Sequence, residues 1–118
     1  AALPDTQIVA VCGDGSFQMS LMELATMRQW NLPIKFVIMR NGYLGLVREY
    51  QHHTYHDRYS GVSLDGSPDF EKIADAYGLD YFHLEHNDEM EQRIDEFLAC
   101  DHAAMMVCEV YSFDLVKE

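Results

Sequence analysis

A short apolar run that ends in Gly-Asp-Gly restricts the fold of this chain more than any other feature. Residues 8–12 are wholly apolar and rich in β-branched side chains, and Gly13, Asp14 and Gly15 follow at once. A short run of this kind, bounded by turn residues, is typical of a strand buried on both faces of a parallel sheet. We therefore predict such a strand, followed by a tight loop at residues 13–16.

Strand and helix patterns alternate along the rest of the chain. Further apolar runs predict strands at residues 34–39, 79–84 and 104–111. Residues 52–66 show no clear period and are predicted to form a long loop. The first predicted helix begins at a capping box of Ser20 and Glu23 and ends at about Trp30. Three further helices are predicted over residues 43–51, from Ser67-Pro68 to Gly78, and after Asn87 or Asp88.

Two of the predicted helices have an apolar face with helical spacing. The faces consist of Phe70, Ile73, Ala74 and Tyr77 in one helix and of Met90, Ile94, Phe97 and Leu98 in the other. Met19, Met22 and Met27 are also expected in the core. Helices that alternate with strands that are apolar on both faces indicate an α/β fold, a three-layer α/β/α arrangement with a mainly parallel sheet. Ligands of such folds bind beyond the carboxyl ends of the strands.

The composition excludes several classes of protein. Apolar residues make up 48% of the 118 residues, enough for a core, and no apolar run reaches the roughly 18 residues of a membrane span. Because a signal-peptide pattern is missing too, a cytoplasmic protein is expected. The 20 acidic and 8 basic side chains give a formal charge of −12, which argues against a nucleic-acid surface. A phosphate ligand would need a metal ion or oriented backbone N–H groups.

Two polar side chains follow the first two predicted strands where these strands end. Asp14 follows the first strand and Asn41 follows the second, each beside a glycine. If the strands are neighbours, a carboxylate and an amide oxygen converge there, and Mg²⁺ prefers oxygen ligands of this kind. Backbone N–H groups of Gly15 and Ser16 can then meet phosphate oxygens.

Other interpretations of the glycines fit less well. A dinucleotide-binding fingerprint requires Gly or Ala where Gln18 stands, and an acid where Arg40 stands. The G-K-[S/T] of a P-loop and the calcium loop of an EF-hand are absent. On Gly-Asp-Gly alone, a plain turn after a strand remains open.

A longer pattern surrounds these residues. It consists of Gly13-Asp14-Gly15-Ser16-Phe17-Gln18-Met19, Glu23-Leu24-Ala25-Thr26, Asn31-Leu32-Pro33 and Asn41-Gly42-Tyr43-Leu44-Gly45-Leu46-Val47-Arg48. This pattern resembles the acetolactate synthases and, more broadly, the thiamine-diphosphate enzymes, whose motif begins with Gly-Asp-Gly and ends in Asn. The resemblance covers essentially the whole chain. Since the chain begins at Ala1 without Met, residues 1–118 are expected to be the C-terminal part of the diphosphate-binding domain of a larger enzyme.

The resemblance implies thiamine diphosphate and Mg²⁺ as cofactors. Asp14, Asn41 and the backbone carbonyl of Tyr43 match the metal ligands of that family. The positions implied to bind the cofactor are Gly13, Asp14, Gly15, Ser16, Asn41, Gly42, Tyr43, Leu44, Gly45 and Leu46. No catalytic residue is assigned to this chain, because the Glu that activates the cofactor lies in a separate domain in the family, usually on a partner subunit.

The implied activity is that of an acetolactate synthase, which decarboxylates pyruvate and condenses it with a second 2-keto acid in branched-chain amino-acid biosynthesis. A homodimer or tetramer is implied for the full-length enzyme. A 2-keto-acid decarboxylase with the same metal motif is the near alternative, and a receiver-like signalling domain is a remote one. Leu46 and Tyr50 stand where biosynthetic synthases often have Met and Trp, which leaves the second keto acid open.

Neither the cysteines nor the clustered histidines match a metal-binding pattern. Cys12, Cys100 and Cys108 are odd in number and lack C-x-x-C spacing, so buried reduced thiols are expected. His52, His53 and His56 lie close to Asp57, but their spacing matches no helical ligand pair, so a solvated loop is favoured over a zinc site. Because this region covers the active site in the family, a lid is the alternative.

Overall fold

The computed structural model describes residues 6–112 as a four-stranded, all-parallel sheet with helices between the strands. The strands lie in the order β1-β2-β4-β3. In chain order the elements are β1 (Val9–Gly13), α1 (Asp14–Met19), α2 (Glu23–Gln29), β2 (Lys35–Arg40), α3 (Gly45–Tyr55), α4 (Phe70–Tyr77), β3 (Asp80–Leu84), α5 (Met90–Ala99) and β4 (Ala104–Glu109). The predicted α/β class and its four strands are confirmed, while residues 1–5 lie outside the described part.

Side chains of β4 alternate between two cores, as the period of two in a strand requires. Met105 and Val107 face the first core, in which α1, α2 and α4 contribute Phe17, Leu24, Met27, Phe70 and Ala74. Met106 and Cys108 face the second core, where α5 contributes Phe97. The sheet is therefore the middle layer between helices, and β4 is buried along almost its whole length.

The second face of the sheet is covered less completely than the first. Among residues 6–112, α5 is the element whose side chains pack on this face, and they reach the β3–β4 side. On the β1–β2 side Val11 is 67% exposed, and Val9 and Met39 are also exposed. Of the predicted apolar face of α5, Phe97 is buried, while Met90, Ile94 and Leu98 are partly exposed beside this open sheet surface.

Residues 14–19 form α1, so the prediction of a loop at residues 13–16 is wrong. Gly13 keeps an extended conformation and Asp14 begins the helix directly, because an acidic side chain in the first turn interacts favourably with the helix dipole. The chain is thus already helical when it reaches Ser20, which ends α1. The predicted capping box is wrong as well, since the carbonyl of Ser20, not its hydroxyl, accepts from the Glu23 N–H.

Other helix boundaries also differ from the predictions. Asp69, rather than Ser67, caps α4 by accepting a hydrogen bond from the Lys72 N–H. A 3-10 turn at Asn87–Glu89 leads into α5, and no side chain caps that helix. The predicted long loop is shorter, because α3 continues to Tyr55. Gly78 ends α4 in a left-handed conformation, as predicted.

Several predictions concern burial. Met27 is buried, but Met19 and Met22 are more than 70% exposed, so the prediction that all three fill the core is wrong for two of them. The acidic side chains of α5 are solvent-exposed. All three cysteines are free thiols, but only Cys108 is buried, so the prediction of buried thiols is wrong for Cys12 and Cys100, which are partly exposed. Burial raises the pKa of each thiol. In residues 6–112 no helix has the length and apolar character that crossing a membrane requires.

Candidate functional site

The carboxyl ends of β1 and β2 lie side by side. The two strands are paired in parallel register, and Gly13 at the end of β1 lies opposite Met39 near the end of β2. Asp14 follows β1 as the first residue of α1, and Asn41 follows β2 directly. The parallel pairing therefore brings the segments that contain the two predicted metal ligands to one edge of the sheet.

Asp14 is the best-buried acid of the described chain, with 1% of its surface exposed. Its Oδ1 accepts a hydrogen bond from the Gly15 N–H, and its Oδ2 accepts one from the Gly42 N–H, both at 2.9 Å. The second bond crosses from α1 to the turn after β2, so Asp14 directly connects the two segments. Each carboxylate oxygen has two acceptor sites, so both retain capacity for a cation.

Asn41 shapes the turn that faces Asp14. Its Oδ1 accepts a hydrogen bond from the Tyr43 N–H at 2.9 Å, which is an Asx turn. The Ser112 hydroxyl donates to the Asn41 carbonyl at 2.8 Å and so holds the turn against the segment after β4. A Cβ at Gly45 would lie 3.2 Å from Asn41 Nδ2, so a glycine there leaves room for the amide.

A cavity of about 410 Å³ opens between these segments. It is lined by Gly13, Asp14, Gly15, Ser16, Met19, Asn41, Tyr43, Leu44, Gly45, Leu46 and Val47. All the predicted cofactor-binding residues except Gly42 are in this lining, and Gly42 lies behind it as the donor to Asp14. Gly15 is packed tightly there, since a Cβ would lie 2.8 Å from Leu44 Cδ2.

Two larger cavities lie elsewhere in the described part of the chain, and neither contains the motif. One of about 570 Å³ lies near the opposite edge of the sheet, beside Arg28, Tyr77 and His102. The other, of about 510 Å³, is the groove on the open sheet face beside α5. We favour the smaller cavity as the cofactor site because it combines a buried carboxylate, an amide and closely packed glycines.

A second layer of contacts stabilises the turn after β2. Residues 42–44 run antiparallel to residues 62–64, with the Leu44 N–H donating to the Val62 carbonyl and the Leu64 N–H to the Gly42 carbonyl. Arg48 is buried at 6% exposure and stacks over the Tyr43 ring, 4.4 Å from its centroid. Arg48 also stacks over Tyr59 and donates to the Ser112 carbonyl.

Sequence reasoning missed the roles of Arg48 and Ser112. Arg48 was part of the resembling stretch, but its position gave no indication that the side chain is buried against Tyr43. Ser112 lies 71 residues from Asn41 in sequence, so no local pattern connects them.

The histidine cluster forms no metal site. His52 Nδ1 contacts Asp57 Oδ1, and the Tyr59 hydroxyl donates to the same oxygen at 2.7 Å. The hydrogen bond from Tyr59, followed by that from His52, lowers the pKa of Asp57. His53 and His56 do not join them as ligands, because the one three-ligand group in residues 6–112 lies elsewhere. His52 and His53 belong to α3, so the prediction that they lie in a loop is wrong, whereas His53, His56 and Asp57 are exposed to solvent as predicted.

The donor set beside the cavity suits a hard cation. It consists of a buried carboxylate and an amide oxygen, with a backbone carbonyl two residues further on, and Mg²⁺ favours such oxygen ligands. Among residues 6–112 no lysine, arginine or histidine forms an ion pair with Asp14. Since a buried carboxylate is costly without a compensating charge, a metal ion fits the residues present.

The family comparison agrees with the fold. The chain belongs to the family described as "Thiamine pyrophosphate enzyme, C-terminal TPP binding domain", whose profile matches residues 1–110. It is 38% identical to an acetolactate synthase of Arthrospira platensis over 110 residues, which are 92% of this chain and 19% of the relative. The expected resemblance to acetolactate synthases is confirmed.

Two further relatives come from Escherichia coli K12. The large subunit of acetolactate synthase isozyme 3 is 40% identical over 97 residues, or 82% of this chain and 17% of the relative. The isozyme 2 large subunit is 38% identical over 100 residues, or 85% and 18%. The chain thus spans about a fifth of the length of the curated relatives it matches.

Proposed function

We propose that this chain binds the magnesium-diphosphate end of thiamine diphosphate. Asp14 and Asn41 provide side-chain oxygens to Mg²⁺, and the Tyr43 carbonyl provides the third protein ligand. The observation that supports this most strongly is the burial of the Asp14 carboxylate at adjacent strand ends, in a chain whose family is described as binding the cofactor. On this proposal residues 1–118 are the C-terminal part of the diphosphate-binding domain.

A metal ion would offset the negative charges of the protein and of the diphosphate. The chain has a formal charge of −12, which repels a free diphosphate, and one of its acidic residues, the buried Asp14, lies at the site itself. A divalent cation between the carboxylate and the diphosphate offsets both charges. The Gly15 N–H donates to Asp14, so it orients the carboxylate that is proposed to bind the metal rather than binding phosphate itself.

The full-length protein is proposed to be an acetolactate synthase. When bound, thiamine diphosphate supplies a nucleophilic carbon that adds to the carbonyl of a 2-keto acid. Residues of this chain hold and orient the cofactor, while the activating Glu is proposed to lie in another domain. We further propose that the enzyme uses Mg²⁺ as a cofactor and pyruvate as a substrate, and that it acts in branched-chain amino-acid biosynthesis. It is proposed to be a homodimer or tetramer in the cytoplasm.

The choice of synthase over decarboxylase rests on two observations. The Leu44-Gly45-Leu46-Val47-Arg48 stretch resembles the synthases, and the relatives described above are all named acetolactate synthases. Leu46 is 80% exposed and Tyr50 is 58% exposed on α3, so both are available to contact substrate or another domain. These two positions are proposed to influence the choice of second keto acid.

Replacing Asp14 by Asn in the full-length protein tests the metal assignment. We expect the affinity for thiamine diphosphate in the presence of Mg²⁺ to fall by more than the roughly 10–100-fold typical of losing an outer-shell partner. The Asn keeps the shape of the side chain but removes its charge. Isothermal titration calorimetry with and without Mg²⁺ measures the effect, because both proteins should bind equally weakly without the metal.

Asp95→Asn provides the matched control. It removes the same charge from an exposed position on α5 and should leave the Mg²⁺-dependent affinity unchanged. Circular dichroism of the Asp14 variant distinguishes a loss of ligand from a loss of fold. If a folded Asp14→Asn protein retained the full Mg²⁺-dependent affinity, the proposal would fail.

A further inference from the structure

Three different metal-ligating side chains meet at the edge of the sheet opposite the candidate cofactor site. Asp80 is the first residue of β3, and Cys100 and His102 belong to the connection between α5 and β4. Asp80 lies beside Ala104 in the parallel pairing of β3 with β4. The sheet therefore brings the start of one strand next to the segment that leads into its neighbour.

The ligand atoms of these residues already converge. Asp80 Oδ2 lies 2.9 Å from Cys100 Sγ and 3.8 Å from His102 Nδ1, and one such atom from each residue lies within 4.8 Å of the others. In residues 6–112 this is the one group of three or more His, Cys, Asp or Glu residues with such convergence. The Cys100 thiol donates a hydrogen bond to the Asp80 carboxylate, so the sulfur and the oxygen already face each other.

Lys35 fixes the backbone that presents two of the three ligands. It is a buried lysine at 1% exposure, and its Nζ donates to the Cys100 carbonyl at 2.6 Å and to the His102 carbonyl at 3.3 Å. A buried ammonium is costly unless its donors are satisfied, so these two bonds hold the 100–102 segment in one conformation. A site whose ligand backbone is fixed in advance binds metal with less loss of entropy.

We propose that Asp80, Cys100 and His102 form a zinc site, distinct from the candidate magnesium site. Thiolate, imidazole and carboxylate are all ligands of Zn²⁺, and three protein ligands leave a fourth, open position in a tetrahedral shell. Oxygen-preferring Mg²⁺ does not select a sulfur ligand. The proposal is independent of the proposed cofactor function, because it uses none of the residues at the end of β1 or β2.

The two distances that involve Asp80 Oδ2 require only small side-chain movements. Ligand atoms of a tetrahedral zinc lie about 3.3–3.6 Å apart, as follows from its bond lengths. The pair at 2.9 Å must separate and the pair at 3.8 Å must close, each by roughly half an ångström. The side chain of His102 is 76% exposed and that of Asp80 is 55% exposed, so neither is held back by packing.

Asp101 and Lys35 are charged groups beside the site, and Arg28 lines the same cavity as His102. Asp101 Oδ1 lies 2.8 Å from His102 Nδ1 and competes with a metal for that nitrogen, but its side chain is 88% exposed and can turn into solvent. The negative charges of Asp80, Asp101 and a Cys100 thiolate outnumber the positive charge of Lys35. The bound ion connects β3 to the α5–β4 segment, next to the cavity of about 570 Å³ that His102 lines.

Metal titration of the full-length protein tests this site. We expect the wild type to bind one more equivalent of Zn²⁺ in equilibrium dialysis than Cys100→Ser or His102→Gln, with Mg²⁺ present in excess. Co²⁺ in place of Zn²⁺ should give a thiolate charge-transfer absorption band that Cys100→Ser abolishes. Zn²⁺ should also raise the melting temperature of the wild type and not of these variants, since a ligand that binds the native state stabilises it.

Two control variants separate a defined site from general attraction. Cys12→Ser removes a thiol elsewhere and Asp101→Asn removes a neighbouring charge, and both should retain the extra equivalent and the Co²⁺ band. Melting curves without metal identify any variant that fails to fold, and Asp80→Asn then serves as the second test. If the wild type and a folded Cys100→Ser protein bind the same number of equivalents, or if Asp101→Asn loses as much as Asp80→Asn, the proposal is overturned.

Discussion

Gly42 follows Asn41 in the chain, and its N–H donates a hydrogen bond to Asp14, so it connects the two proposed metal ligands. Its φ of +73° lies in the left-handed region, which side chains with a Cβ rarely adopt. In that conformation its N–H donates to Asp14 and its carbonyl accepts from the Leu64 N–H. One backbone position thus helps to orient Asp14 from the side of β2 and attaches the turn to the segment at residues 62–64.

We predict that Gly42→Ala destabilises the protein by about 1–2 kcal/mol, the usual cost of placing an L-residue in the left-handed region. The Mg²⁺-dependent affinity for thiamine diphosphate should fall as well, because relaxing the strain moves the donor to Asp14. Unfolding in denaturant measures the first effect, and calorimetry measures the second.

Gly66→Ala is the matched control for this substitution. Gly66 does not have a left-handed φ, and a Cβ there would meet nothing within 4 Å. The control should be unchanged or up to about 1 kcal/mol more stable, because alanine restricts the unfolded chain. Equal stability of the two variants would contradict the conformation of Gly42.

At the same scale, the sequence predicts the site better than its surroundings. Asp14 and Asn41 directly follow two strands that the apolar runs predict. The pairing of these strands, which the structure provides, explains why the two residues are close. The contacts of Arg48 with Tyr43 and of Ser112 with Asn41 depend on how α3 and the end of β4 pack. Such long-range packing leaves no local pattern in the sequence.

Among the elements, strands were predicted more reliably than helix starts. An apolar run identifies β4 because both of its faces are buried, whereas several residues near a helix start compete to cap it. Ser67 and Asp69 are both good caps, and Asp69 is used because its carboxylate reaches the Lys72 N–H. For α1 no cap signal exists, since the helix begins directly from the strand through extended Gly13.

Asp69→Ala should lower the melting temperature by a few degrees, because it removes both the N-cap of α4 and the ion pair with Lys72. Asp75→Ala, at an exposed position inside the same helix, should cost less, since alanine is a good helix former there. Differential scanning calorimetry measures both variants. Equal melting temperatures would show that Asp69 does not act as the cap.

The effect of Asp69 should depend on pH. Hydrogen bonds from Lys72 lower the pKa of Asp69, so its folded-state pKa lies below the unfolded value. Its stabilising contribution is therefore complete above the unfolded pKa and disappears as the pH falls through the folded pKa. The difference in melting temperature between Asp69→Ala and the wild type should accordingly persist at neutral pH and shrink towards pH 3.

In the described residues, helices α1, α2 and α4 cover one face of the sheet, and the other face is partly open. The sequence predicts that both faces are apolar, and the structure has apolar side chains on both faces. On the second face, however, α5 packs on the β3–β4 side only. A pattern of apolar residues predicts that a face is buried and does not specify which segment buries it.

Product analysis of the full-length protein tests the proposed activity. With pyruvate, thiamine diphosphate and Mg²⁺, acetolactate should accumulate, because the resemblance and the relatives favour condensation over simple decarboxylation. The 118-residue chain alone should not turn pyruvate over, because the activating Glu is proposed to lie in another domain. Release of acetaldehyde without acetolactate would support the decarboxylase instead.

Locating the metal is the most direct test of the central claim. The full-length protein would be crystallised with thiamine diphosphate and with Mn²⁺ in place of Mg²⁺, and anomalous scattering would locate the ion. We predict one peak within coordination distance of the Asp14 carboxylate, Asn41 Oδ1, the Tyr43 carbonyl and two diphosphate oxygens. A diphosphate-bound ion that lies away from Asp14 and Asn41 would contradict the account.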